Sequence, residues 1–417
     1  MNSAHLRRRY ARERRFLFSA AGCILLAALF LGGLAASVIW QGWRGFLQAE
    51  VRMEIFLDPA VIGADGEKSA LVYQRLIKKA LLAEFADGAS RAERRLARGV
   101  ASAGAGVSLR EQTLQNPHTI GKRAAVWLPA GSGAEAFLKG AEDADSLRAR
   151  EVPDTHIARL EEILNNGRAR TRFNAEFFTS GDSRNAELAG IGGALRGSFY
   201  TLLLAFLISF PAGALAAVYL ELFAPRGGWR GKWLDIVEIN INNLAAVPSV
   251  IFGLLGLAVL INVFHLPRSS SLTGGLVLSL MTLPTIIIAA RAALKGVPPS
   301  LLAAAMSLGA TRMQGVFHHV LPAAMPGILT GAIIGMAQAL GETAPLLMIG
   351  MAAFIAEAPA GITDAATALP VQIFLWADSP ERGFAERTAT AIIVLLVFLA
   401  AMNAAAVLLR RRLEIKW

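Results

Sequence analysis

Two stretches put polar chemistry inside apolar sequence. "LGETAPLLMIG" (340–350) sets Glu342 and Thr343 in a long apolar run, three residues before the helix breaker Pro345. An ionised carboxylate at mid-span costs about 2.5–3.5 kcal/mol even on lenient insertion scales, so it should face a polar pathway or a partner charge. Upstream, Asn240, Asn242 and Asn243 could donate hydrogen bonds to an oxyanion or make polar contacts between helices. Arg291 could serve an anion pathway or anchor its span at the interface. Such groups can steer a charged solute. They do not hydrolyse one: the chain has no G-x-x-x-x-G-K-[ST] phosphate loop, and His118 and His156 stand apart from any catalytic set.

The second stretch, "AMSLGATRMQGVFHHVLP" (305–322), lies between two apolar runs yet holds Arg312, Gln314, His318 and His319. Around it run Ala304-Ala305, three residues, Gly309-Ala310, and later Leu321-Pro322. Pro298-Pro299 opens a helix-forming run over 301–308, Gly309 permits a turn, and 313–320 reads as a second short helix that Pro322 follows. An element this short is no domain, but it suits a partner's groove.

The elements that must position these residues are membrane spans. The chain is 54% apolar and 17% charged, with mean hydropathy +0.48; a soluble domain carries about a quarter charged residues. The apolar excess falls in six runs, 16–40, 197–220, 236–264, 272–290, 323–349 and 389–409, and about 20 apolar residues suffice to cross the hydrocarbon as a helix. The net charge of +10 could suggest nucleic acid, but its location argues otherwise. Residues 42–195 balance 21 basic against 20 acidic residues, whereas 1–15, 221–235, 291–322 and 410–417 are each net positive. Alternating spans put those four segments on one side, which the positive-inside rule makes cytoplasmic, with both termini inside. The first run continues to Trp40 without a cleavage site, so it reads as an uncleaved anchor. Cys23, the single cysteine, lies within it.

Three regions follow: 1–41, a basic terminus and first span; 42–195, an extracytoplasmic α+β insertion; and 196–417, a five-helix core with a cytoplasmic loop over 296–322. In the insertion, 51–57 and 124–130 read as strands, and 71–85 and the run opening at Pro153-Asp154 as helices. Its role reads as that of a solvated accessory domain. Gly327, Gly331 and Gly335 line one helix face in the fifth span, where another helix can approach closely, within the bundle or from another subunit. Trp229, Trp233 and Trp376 flank spans, at the level aromatic rings favour.

On Ala304, Ala305, Gly309, Ala310, Leu321 and Pro322 the chain resembles the permease subunits of ABC importers, whose cytoplasmic EAA loop docks into an ATPase. Ala303 stands where that motif has Glu, and His319 where it has Ile. The blocks "INNLAAVPSVIFGLLGL", "LPTIIIAARAALKGVP", "LGETAPLLMIG" and "ALPVQIF" narrow the resemblance to phosphate-specific permeases, A-type subunits in an extended form. Many relatives carry Arg and then Glu after the Leu-Pro of the fourth span; here Ile288 and Arg291 occupy those positions. The resemblance implies an all-α polytopic membrane protein of MetI-like permease fold carrying the α+β insertion. It implies a non-catalytic subunit that moves phosphate from an external binding protein to the cytoplasm by alternating access. Partners would be a C-type permease in a heterodimer, two ATPases that bind ATP and Mg, and lipid. Glu342, Thr343, Arg291, Asn242 and Asn243 are the candidates for the path or its gate. An ABC permease for sulfate or molybdate, or a secondary transporter, is the alternative.

Overall fold

The computed structural model describes residues 3–63, 69–85, 90–225 and 227–413. The first run forms one long helix, α1 (Ser3–Gly42), whose apolar side chains, such as Phe16, Leu26 and Phe30, are exposed. The polar unit after it is built on β1 (Leu47–Phe56), which alternates inward Val51, Met53 and Ile55 with outward Arg52, Glu54 and Phe56. Helices α2 (Ala70–Phe85), α3 (Arg91–Arg98) and α4 (Ala105–Gln115) precede β2 (Arg123–Pro129); α5 (Ser132–Leu138) and α6 (Asp154–Asn165) precede β3 (Ala169–Phe173). Both outer strands pair antiparallel with β1, in the order β2-β1-β3. Tyr73, Ile77, Leu81, Leu109, Leu160 and Ile163 close the core over the inward face of the sheet.

The remaining runs form the membrane core. In chain order these are α7 (Gly192–Val218), α8 (Gly228–Ala245), α9 (Ser249–Leu255) and α10 (Ser271–Lys295). They continue as α11 (Pro299–Ser307), α12 (Leu321–Gly341), α13 (Ala344–Met348), α14 (Leu369–Ala377) and α15 (Gly383–Leu413). Five helical segments of the described chain are long and apolar enough to cross a bilayer, and α8 with α9 makes a sixth only as a bent pair. The fold is that of an all-α membrane bundle with a small-sheet insertion.

Four expectations are corrected. The run 236–264 is not one helix: α8 and the segment from Ser249 to Ile261 meet at 106°. Pro248 supplies no N–H and pushes Val247 out of helical geometry, so the chain turns there. The run 323–349 also breaks, at Glu342, whose ψ of 120° is extended. The expected second short helix over 313–320 is no separate element either. Thr311 and Gln314 form a capping box, and the helix then runs from Arg312 through Pro322 to Gly341. Pro322 falls where the preceding wide turn already loosens the backbone ladder. Trp376, expected at the headgroup level, is instead buried between Phe177 and Phe384, with its indole N–H donating to Asp182 at 2.9 Å.

The glycine face of α12 packs within this chain, on α10. A Cβ on Gly327 would sit 2.6 Å from Ala293 Cβ, one on Gly331 would overlap Ala289 Cβ, and one on Gly335 would lie 3.6 Å from Ile286. Overpacking of such a contact costs about 1–3 kcal/mol. Gly331→Leu should therefore lower the thermal midpoint of the detergent-purified chain. Gly33→Leu in α1, where a Cβ meets nothing within 4 Å, should leave it unchanged.

Candidate functional site

Segment 299–311 stands out from the bundle at the end remote from the insertion. Only Ala305 of α11 is buried; Leu308 is 91% exposed, and Met306 and Met313 are also exposed. Gly309 has φ +90°, a left-handed conformation that costs a residue with a Cβ about 1–2 kcal/mol. It ends α11, and Ala310 then leads to the Thr311 cap. The residues after the turn belong to the 30-residue helix from Arg312 to Gly341, about 45 Å long at 1.5 Å per residue. Thus the exposed apolar knob and Glu342 are at opposite ends of one continuous helical rod.

At the far end of that rod lie the two helix interruptions. Glu342 and Thr343 form the break between α12 and α13, and both are half-buried. The short helix α13 lies against α9: a Cβ on Gly253 would meet Pro345 Cα at 2.6 Å and Met348 Cβ at 2.9 Å. Val247, at the bend of the third span, joins the same apolar cluster as Met336, Leu340 and Leu346. Asn242 and Asn243, one to two turns before the bend, are exposed, and their side chains make no hydrogen bond among the described residues. Asn240 spends its amide on its own helix, donating to the Ile236 carbonyl at 2.8 Å. Glu342 makes no ion pair among the described residues. A carboxylate and two free amides thus border paired breaks in the backbone, and non-helical backbone at membrane depth must be buried in protein or line a water-filled path.

Arg291 is not beside Glu342. Because Gly331 and Gly327 face Ala289 and Ala293, Arg291 lies level with the middle of that pair. That is about 13 residues, or roughly 20 Å, from Glu342 along the rod. Its guanidinium is held 2.8 Å from Glu238 Oε1 on α8 and 3.5 Å from Glu221 Oε2 at the end of α7, and Lys295 Nζ is 3.7 Å from the same Glu221 oxygen. Glu238 lies one helical turn before Asn242, so this ion pair joins Arg291 to the helix that carries the asparagines.

A second charged cluster was not foreseen in the sequence, and it fastens the insertion to α15. Arg387 is 2% exposed and donates to the carbonyls of Gly45, Ala186 and Glu187 at 3.0, 3.0 and 3.3 Å. It lies 3.5 Å from Glu135 and over the Phe177 ring. Lys139 Nζ bridges Glu135 and Glu386 at 2.7 and 3.0 Å, and Ser132 donates to Glu381 at 3.1 Å. The insertion is thus anchored rather than freely solvated. Burial pushes the Glu187 carboxyl up, with Glu135 and Glu381 adding to the rise against its hydrogen bond from Ser102.

Residues 209–415 match the family described as binding-protein-dependent transport system inner membrane component, and residues 3–147 match a domain of unknown function, DUF3333. The chain is 34% identical to the phosphate transport system permease protein PstA 2 of Mycobacterium bovis over 216 residues, 50% of this chain and 69% of that protein. To the PstA protein of Yersinia pestis it is 33% identical over 197 residues, covering 47% and 64%. To a probable ABC transporter permease, YqgH, of Bacillus subtilis it is 37% identical over 169 residues, covering 39% and 53%. The chain thus spans between half and two thirds of the length of several curated relatives it matches. Among solved structures it is similar to an inward-facing MetNI methionine ABC transporter (20% identity, TM-score 0.40, 54% of this chain and 95% of that one).

The anchoring cluster joins the two matched regions, Glu135 and Lys139 in one and Glu386 and Arg387 in the other. Removing one member of a buried ion pair costs about 3–5 kcal/mol. Arg387→Met should lower the thermal midpoint and speed tryptic cleavage within the insertion. Glu187 favours its neutral form when folded, so its contribution is full below the ordinary carboxylate pKa and is lost as pH rises through the raised value. The midpoint should fall across that window in the wild type, and Glu187→Gln should flatten the decline.

Proposed function

Since the chain belongs to the binding-protein-dependent transport system inner membrane components, and within them to the PstA-type ABC permeases, we propose that it is the transmembrane permease subunit of an ATP-driven importer of inorganic phosphate. The charge distribution supports an orientation with both termini and segment 296–322 in the cytoplasm and the insertion outside, in the inner membrane. The subunit is non-catalytic, and ATP and Mg belong to two partner ATPases. A C-type permease completes the path as a heterodimer, and an external binding protein delivers phosphate.

The observation that carries this reading is the rod from Arg312 to Gly341. An ATPase gripping Leu308, Met306 and the backbone around Ala304, Ala305 and Gly309 would move the near end of a stiff helix whose other end is the Glu342 break. A tilt of that rod shifts α13 against α9 and opens or closes the space beside Asn242, Asn243 and Thr343. This is alternating access worked by a lever. Glu342 repels phosphate, so its part is to pair with a cation of the partner permease and gate the path rather than hold the anion. Arg291, engaged by two carboxylates, is not free to coordinate phosphate at that level.

The test is uptake of labelled phosphate at micromolar concentration by cells lacking this chain, with sulfate uptake measured alongside. Phosphate uptake alone should collapse and return with the wild-type gene. Gly309→Trp should restore less than about a tenth of it, since strain at a left-handed position adds to bulk on the docking face. Unchanged phosphate uptake would end the substrate assignment. A selective sulfate defect would transfer the permease to the other oxyanion.

A further inference from the structure

Both flanks of segment 299–311 are tied to one spot, the wide turn that ends α7. Ahead of the segment, Lys295 reaches Glu221 at 3.7 Å. After it, Arg312 donates to the carbonyl of Leu222 and lies over the Phe223 ring at 5.6 Å. Glu221, Leu222 and Phe223 are consecutive residues in that turn. Arg291 then links Glu221 to Glu238, and Glu238 belongs to α8, the helix that runs to the 106° bend. The guanidinium is 15% exposed and Glu221 10%, so this part of the network is screened less than a surface pair would be. A cleft of about 770 Å³ lies alongside, lined by Glu221, Lys232, Asp235, Glu238, Arg291 and Lys295. It leaves α8 room to move relative to α10 while charge pairing keeps the two in register.

We propose that Glu221, Arg291 and Glu238, with Lys295 and Arg312, form a clasp that transmits displacement of segment 299–311 to the bent third span. The chain then has two connections from the docking segment to the paired breaks. One is the rod ending at Glu342; the other is the clasp through α8 to the Val247–Pro248 bend. Two connections at separate points turn a tilt into a defined relative motion of α9 and α13, where a single rod would leave the bend behind. Arg291 is here a positioning residue, and the planar guanidinium suits the role because it can hold two carboxylates at once. This inference rests on the proposed coupling role of segment 299–311.

The first arm of the test needs neither ATPase nor phosphate. It follows amide hydrogen exchange in the full chain in lipid nanodiscs. Glu238→Gln and Arg291→Gln should each speed exchange across 299–311 by about threefold or more, although neither residue lies in that segment. Exchange there equal to wild type in both variants would overturn the clasp. In the second arm, the chain is reconstituted with its permease partner and ATPases. There Arg291→Gln should cut phosphate moved per ATP hydrolysed by about tenfold, with Arg291→Lys falling between it and wild type. The KM for phosphate should stay within about twofold, as expected for a group that does not touch the anion. A raised KM with an unchanged ratio would instead make Arg291 a ligand of the anion and overturn the assignment. Absence of any phosphate transport by the wild-type complex would sink the importer reading alone, because the exchange arm judges the clasp independently.

Discussion

Hydrocarbon offers a backbone no hydrogen bonds, and the core is arranged around that constraint. A helix interrupted at membrane depth must hide its loose N–H and C=O groups in protein or in a water-lined space. The described residues show two breaks within apolar runs, at Val247–Pro248 and at Glu342–Thr343, and the helices that follow them lie against each other. Gly253 makes the contact possible, because any side chain there would strike Pro345 and Met348. Each break thereby helps to shelter the other. The glycine face of α12 serves the same arrangement from outside. By letting α12 lie on α10 it fixes the level at which the rod ends, and hence where Glu342 emerges.

The insertion meets a different problem, since it must attach a soluble unit to the end of a bundle. It does so through a shared apolar cluster, in which Phe177, Ala186 and Ile191 pack with Leu369, Trp376 and Phe384, and through charge. Lys139 and Arg387 are almost wholly buried, and Glu135 lies between them. Such a cluster specifies one docking geometry, because a shifted insertion would leave desolvated charges unpaired. The upward shift of the Glu187 carboxyl fits this balance, since burial first and then the neighbouring Glu135 and Glu381 disfavour its charged form. Thr390, donating to the Gly42 carbonyl at 2.8 Å, ties the end of α1 into the same corner.

Local patterns in the sequence were legible; relations across the chain were not. Alternation along β1 and β2 and the helical spacing of α2 and α6 mark those elements within a few residues of their bounds. β3 escapes because Arg170, Thr171, Arg172 and Phe173 are all exposed, leaving no alternation to detect. The turn at Gly309 is visible because glycine followed by a threonine cap is a local signal. Hydropathy averages over about 20 residues, so it passes over the bend at Pro248 and merges two helices into one run. The Gly-Glu-Thr-Ala-Pro stretch does carry a breaker, but helix α12 already ends at Glu342, and Pro345 sits inside the next turn. The clasp and the anchoring cluster were invisible for a different reason. Glu221 lies 70 residues from Arg291 and Glu135 still farther from Arg387, and only packing reveals which carboxylate meets which cation.

That division bears on how Arg291 is understood. Read from sequence, a cation near the end of a span beside a family of anion carriers invites assignment to the anion's route. In the fold it is engaged by two carboxylates, at the end of α7 and on α8, about 20 Å from Glu342 along the rod. A guanidinium so placed is paired with carboxylates of the α7 end and α8, which is a structural use of a residue type that also suits anion binding. The neighbouring residues agree with this use. Lys295 and Arg312 flank segment 299–311 and turn toward the same end of α7, so both sides of that exposed segment are fastened at one spot.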